Sequence, residues 1–199
     1  MGSIDSHVQQ LFHASIEVKI AAADTLPEMI TEAGTRLTDS LLNNGKIFVC
    51  GNGGSLANAL HFSTALLNHF EVERPALPVM TLGMDAALTT SLLQDGHAEH
   101  VFSRSLQALG HAGDILLLLS TSNQTMNLVH AVDAAHERGM DVIVLGGSKP
   151  GVLNNHLGPQ DMEIAVPAES PACIREIHLF VLHCFCDLID RALFGQTMG

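Results

Sequence analysis

The sequence predicts an α/β fold, a three-layer αβα, doubly wound parallel sheet of five strands with an N-terminal helical arm. Three observations predict it. The short apolar runs KIFVC, LPVMTL, DILLLLS, DVIVLGG and MEIAVP recur along the chain, and stretches with helical spacing separate them. Turns rich in glycine or hydroxyls follow two of the runs, GNGGS after the first and STSNQT after the third. Strands without polar alternation are buried on both faces, which requires helices above and below the sheet. Right-handed crossovers then gather the post-strand turns at one edge, where such sheets bind ligands.

The elements follow in order. Leu11, Ile16 and Ile20 mark an opening amphipathic helix, and Pro27, suited to a first turn, begins a second that runs to Asn43. NNG stops it, with Gly45 the expected left-handed cap. KIFVC is the first strand; Ser55 is the expected cap of a helix running to about Phe70. LPVMTL is the second strand, AALTTSLLQ and HVFSRSLQAL are helical, and DILLLLS is the third strand. A helix through NLVHAVDAAHERG leads to DVIVLGG and MEIAVP, and a closing helix covers about Pro171 to Phe194. Residues 1–44 read as the arm and 45–199 as a single α/β unit.

Composition narrows the function classes. Of 199 residues, 47% are hydrophobic and 15% charged, so surface is expected to be buried between subunits. A net charge of −12 with only nine Lys and Arg excludes direct binding of nucleic acid and of anionic membranes. Cys50, Cys173, Cys184 and Cys186 have no zinc or CxxC spacing, which fits reduced thiols in the cytoplasm. The N-terminus lacks an apolar signal core, and no apolar run is long enough to span a bilayer.

Two motifs carry chemistry. In CGNGGSLANALHF, glycines permit close backbone approach while the next helix offers free N–H groups to an anion. It is neither a Walker A loop nor a dinucleotide fingerprint. In STSNQT, hydroxyls at Ser120, Thr121, Ser122 and Thr125 precede a helix N-terminus, which makes a phosphate cradle without lysine.

Together with ERPALPVMTL, VFSRSLQALGHAGDILLLLSTS, LGPQDMEIAVP and REIHLFVLHCFCDLIDRALF, these blocks resemble the SIS (sugar isomerase) domain family over essentially the whole chain. Within it, the likeness is greatest to phosphoheptose isomerases and to the DnaA initiator-associating proteins. The resemblance implies phosphosugar binding by Asn52, Gly53, Ser55, Ser120, Thr121, Ser122 and Thr125, and an active-site acid at Asp95. The loop departs from the family's Ser-Thr-Ser-Gly-Asn-Ser: Asn123 stands in place of glycine and loses its easy access to positive φ.

The departures around the chemistry are larger. The isomerases convert sedoheptulose 7-phosphate through an enediol, using a glutamate base that joins two histidines and a glutamine around zinc. The histidines match His61 and His183, but Ala65 stands for the glutamate and Arg175 for the glutamine. His61 and His183 read either as ligands of a weakened zinc site or as helix histidines satisfied by hydrogen bonds.

The initiator-associating proteins also lack the glutamate. The resemblance therefore implies a homotetrameric, cytoplasmic regulator of chromosome replication initiation with little isomerase activity. Leu193 and Phe194 are its expected contacts to DnaA, or else a helix end packed on a neighbour. The alternative is an active isomerase in which Asp95 or His183 replaces the lost base. Phe180, Val181, Phe185 and Ile189 are expected to help pack subunits.

Overall fold

The computed structural model describes residues 4–195. The outermost ends of the expected arm and α/β unit, 1–3 and 196–199, lie outside the described residues. The chain runs α1 (Ile4–Thr25), α2 (Pro27–Leu42), β1 (Ile47–Gly51), α3 (Gly54–Leu67), β2 (Val79–Thr81), α4 (Ala86–Gln94), α5 (Ser103–Leu109), β3 (Ile115–Leu119), α6 (Met126–Glu137), β4 (Asp141–Gly147), β5 (Met162–Val166) and α7 (Pro171–Phe194). Single 3₁₀ turns cover Ala98–His100 and Val152–His156.

The five strands are all parallel, in the order β2-β1-β3-β4-β5. Side chains alternate between two apolar layers with the period of an extended chain. Ile47, Val49, Ile115, Leu117, Ile143 and Leu145 point into a core shared with α2, α3 and α7. Phe48, Cys50, Leu116, Leu118, Val142 and Val144 point into the opposite core, under α5 and α6. Burial pushes the Cys50 thiol far above the ordinary range and the Cys186 thiol up to about 12, so both pack as small apolar groups.

Several local expectations are corrected. The left-handed residue after α2 is Asn44, with φ 62°; Gly45 is required instead because a side chain there would strike Ser40 and the Gly113 carbonyl. The α3 cap position is Gly53, so Ser55 sits inside the first turn, and α3 ends at Leu67, short of Phe70. HVFSRSLQAL is not one helix but a 3₁₀ turn followed by α5. Val181, Phe185 and Ile189 do not face other subunits: they are fully buried in the chain's own core, and only Phe180, 58% exposed, is free to do so.

Of the two N-terminal helices, α2 is embedded, with Ala33 and Leu37 buried against α7. By contrast, α1 exposes Val8, Leu11, Phe12, Ile16 and Ile20. It is pinned to α7 by Ser15 and Lys19 reaching Glu176. An apolar groove of about 480 Å³ runs between α1, α2 and α7, past Phe70, Phe180 and His183. No helix among the described residues is long and apolar enough to cross a membrane.

Candidate functional site

Strands β1 and β3 lie side by side, Gly51 opposite Leu119, and the strand order departs from this pair in both directions. The turns that follow them therefore diverge and open a crevice at the carboxyl edge of the sheet.

On the first side, Gly53 takes φ 56°, a conformation that glycine adopts without strain, and turns the chain into α3. The Asn52 amide does not point freely outward. Its Nδ2 donates to Asn127 Oδ1 at 3.0 Å and to Thr125 Oγ1 at 3.2 Å, and Asn127 Nδ2 donates back to Asn52 Oδ1 at 2.8 Å. This reciprocal amide pair ties the glycine turn to the first turn of α6. Ser55 is buried at 4% exposure, and its hydroxyl makes no hydrogen bond to another described residue.

On the second side, Ser120 is also buried, and its Oγ accepts from Asn123 N at 2.8 Å and Ser122 N at 3.4 Å. Ser120 thus folds the loop from inside. Ser122 is exposed and Thr121 half-buried, and neither hydroxyl is engaged by another described side chain. Asn123 carries φ 54° despite its side chain, one of two non-glycine residues in that region among those described. Asparagine is among the few L-residues that tolerate it. The arrangement offers two unspent hydroxyls, a third at Ser55 and a helix N-terminus to an anion.

Midway along α3, His61 Nε2 meets His183 Nε2 of α7 at 2.9 Å. Burial first, then the neighbouring His61 imidazole, hold His183 below the usual histidine range, while Glu71 acts in the other direction. At that distance one Nε2 donates and the other accepts, the roles set by the tautomers. Ala65 lies one helical turn beyond His61 and is buried, its carbonyl accepting from Arg74 Nη2 at 2.8 Å. Arg74 is itself buried and paired with Asp190 at 2.8 Å, which seals this end of α3 to α7.

Arg175 lies two turns before His183 on α7. Its Nε stands 2.9 Å from where a side chain would begin at Gly54, so the guanidinium lies against the first turn of α3. Asn58 Nδ2 donates to the Arg175 carbonyl at 2.9 Å, which fixes the two helices at this point.

These residues do not fit a zinc ion. Two imidazole ligands at about 2.05 Å in tetrahedral geometry hold their nitrogens about 3.3 Å apart, whereas the pair here is at hydrogen-bonding distance. Ala65 supplies no donor atom, and a guanidinium, as at Arg175, has donors only and cannot ligate a cation. Among the described residues, no three His, Cys, Asp or Glu side chains are grouped to hold a metal.

Asp95 caps the C-terminus of α4, exposed, and no contact joins it to either histidine. Leu193 and Phe194 are partly buried against the core beneath α7. Sequence reasoning missed Asn127, which pairs with Asn52, and the Asn154 and Glu163 side chains that hold Asn123. An asparagine inside a helix and a glutamate inside a strand carry no signal of such pairing.

The comparisons agree with the geometry. The SIS domain model matches residues 11–147. A phosphoheptose isomerase of Halorhodospira halophila is 50% identical, covering 98% of this chain and all of that protein. The structure of a phosphoheptose isomerase from Francisella tularensis, 41% identical, superposes with a TM-score of 0.92 over 96% of this chain and 100% of its own. That of a phosphoheptose isomerase from Neisseria gonorrhoeae, 37% identical, gives 0.89 over 94% and 99%. With a family model over most of the chain and half-identical relatives along its whole length, this chain belongs to the SIS domain family.

Proposed function

We propose that the protein binds a phosphosugar across the Asn52–Ser55 turn and the Ser120–Thr125 loop, turns it over slowly or not at all, and acts as a regulator of replication initiation through the initiator DnaA. One observation carries this reading: Ala65, one turn beyond His61, where isomerisation calls for a carboxylate. Moving a proton between adjacent carbons needs a base within hydrogen-bond reach of the C–H, and a methyl group cannot supply one.

The rest of the site supports the same division of labour. The hydroxyls of Ser55, Thr121 and Ser122 are free for a phosphate, whereas His61 and His183 are spent on each other. A −12 chain approaches DNA only through a partner that brings its own basic contacts. The exposed apolar stripe of α1, with Phe180, suits assembly as a homotetramer. Leu193 and Phe194 are the proposed DnaA contacts, on a cytoplasmic protein.

A coupled assay on sedoheptulose 7-phosphate tests this. The wild type is expected to show no turnover, while Ala65→Glu with Arg175→Gln gains it. Purified DnaA should bind the wild type and lose affinity for Leu193→Ala/Phe194→Ala. Wild-type turnover at the rate of a family isomerase overturns the reading.

A second reading, an active sedoheptulose 7-phosphate isomerase, is favoured by full-length identity of 50% to a protein of that name. In it, His183 or Asp95 takes the proton, and His183→Ala abolishes an aldose product that the wild type forms.

A further inference from the structure

The hydroxyl loop is held from behind by side chains that no phosphosugar would touch. Asn123 has no exposed surface. Its Nδ2 donates to Glu163 Oε1 on β5 at 3.0 Å and, more weakly, to Asn154 Oδ1 at 3.3 Å. Asn154 Nδ2 donates to the second carboxylate oxygen of Glu163 at 2.6 Å, and Asn154 Oδ1 also accepts from Gly151 N at 2.7 Å. The Asn123 carbonyl accepts from Leu153 N at 3.0 Å. A side chain at Gly151 would begin 2.2 Å from that carbonyl, so the loop and the 151–156 turn are in direct backbone contact.

We propose that Asn123 is a positioning residue: its amide, clamped by Glu163 and Asn154, holds the 120–125 loop in the left-handed form that aims Thr121 and Ser122 at a phosphate. The inference rests on the reading of this loop as the phosphosugar site.

Three physical points carry it. A left-handed φ at a residue with a Cβ persists where surroundings over-determine it, and here the backbone bonds to Ser120 Oγ and Leu153 N are joined by the one side-chain donor, Nδ2. Asn123 Oδ1 is buried without a partner, so the side chain is retained through Nδ2 alone. Finally, both Glu163 oxygens accept from side-chain amides, which gives a carboxylate beside an anion loop a structural use. A loop ordered before binding does not lose that ordering entropy when the ligand arrives.

The experiment is a hydrogen-bond reversal, read by calorimetric titration with sedoheptulose 7-phosphate and with inorganic phosphate. Asn123→Asp sets a carboxylate against Glu163 and is expected to weaken binding about tenfold or more. Asn123→Asp with Glu163→Gln restores the pairing with donor and acceptor exchanged. The new amide donates to the new carboxylate, and its oxygen still accepts from Asn154 Nδ2. The carboxylate now faces Asn154 Oδ1 where an amide had donated, so affinity should recover in part, several-fold above Asn123→Asp and below wild type.

Asn123→Gly keeps the backbone conformation without the clamp and should bind more weakly while remaining folded by circular dichroism. Unliganded hydrogen exchange at amides 121–125 should rise in Asn123→Asp and fall back in the double variant. Wild-type affinity in folded Asn123→Asp, or a double variant no better than the single one, overturns the proposal. Wild-type protein that binds neither probe overturns the phosphosugar reading instead, and the exchange measurement still decides whether the clamp orders the loop.

Discussion

The two ends of the crevice differ in what their polar groups are free to do. At the loop end, polar side chains are bonded so as to leave others available. Asn52 is tied to Asn127, Ser120 to the loop amides and Asn123 to Glu163, while the Thr121 and Ser122 hydroxyls remain unspent. At the histidine end the opposite holds. The Nε2 atoms of His61 and His183 are bonded to each other, and Ala65 contributes only its carbonyl to Arg74, while the Arg175 guanidinium lies at the loop end, against Gly54. Binding needs directed donors, whereas proton transfer needs a base with an unengaged lone pair. Under the proposed reading the fold keeps the first and has given up the second, and a shared fold does not by itself carry a shared activity.

The largest effect expected comes from rebuilding the histidine end. Ala65→Glu with Arg175→Gln should raise the sedoheptulose 7-phosphate isomerisation rate by about 10²–10⁴-fold, the usual worth of a placed general base. A double variant as inert as the wild type in a coupled assay would mean that more than the base is missing.

Next comes the seal behind Ala65. Asp190→Ala leaves the Arg74 guanidinium, whose side chain is 1% exposed, without its charge partner. Such a loss costs about 3–5 kcal/mol in urea unfolding. Phosphosugar affinity of the folded fraction should be unchanged, because the seal lies at the other end of the crevice.

A smaller effect depends on pH. His178 is fully buried, its Nε2–H donating to the Gly146 carbonyl at 3.1 Å, and burial holds it down at about 4. The unfolded chain, with an ordinary histidine near 6.5, binds the proton more readily. Stability is therefore complete above about pH 6.5 and is lost as pH falls toward about 4. Denaturation midpoints measured across that window should flatten in His178→Gln.

Least in size, Asn52→Ala should weaken sugar-phosphate binding by about 1 kcal/mol or less, through the lost Asn127 pairing. A much larger loss would mean that Asn52 contacts the ligand directly.

The sheet was legible because each strand is a short apolar run between turn residues, and burial on both faces leaves such a pattern no other use. The two loops were legible as turns for a related reason: glycine and clustered hydroxyls after a strand end it, and the adjacency of β1 and β3 brings the two turns together. Caps were less so. Gly45 carries the right residue for a left-handed turn, yet Asn44 takes that conformation, and glycine is needed at 45 for another reason, the Ser40 and Gly113 oxygens that leave a side chain no room. The α7 residues Val181, Phe185 and Ile189 were expected between subunits and instead lie in the chain's own core, because helical periodicity marks an apolar face without saying which neighbour covers it.

The order of apolar runs and turns was enough to establish the layers and the edge of the sheet where the turns collect, since both depend on residue type and local spacing, whereas the carboxylate absent at Ala65 showed only through the family resemblance. Contacts between residues far apart in the chain were settled by packing. The hydrogen bond between His61 and His183, the Asn52–Asn127 pair and the clamp of Asn123 by Glu163 join positions 122, 75 and 40 residues apart. Such pairings arise when the sheet stacks its crossovers, and no pattern of neighbouring side chains encodes which two will meet.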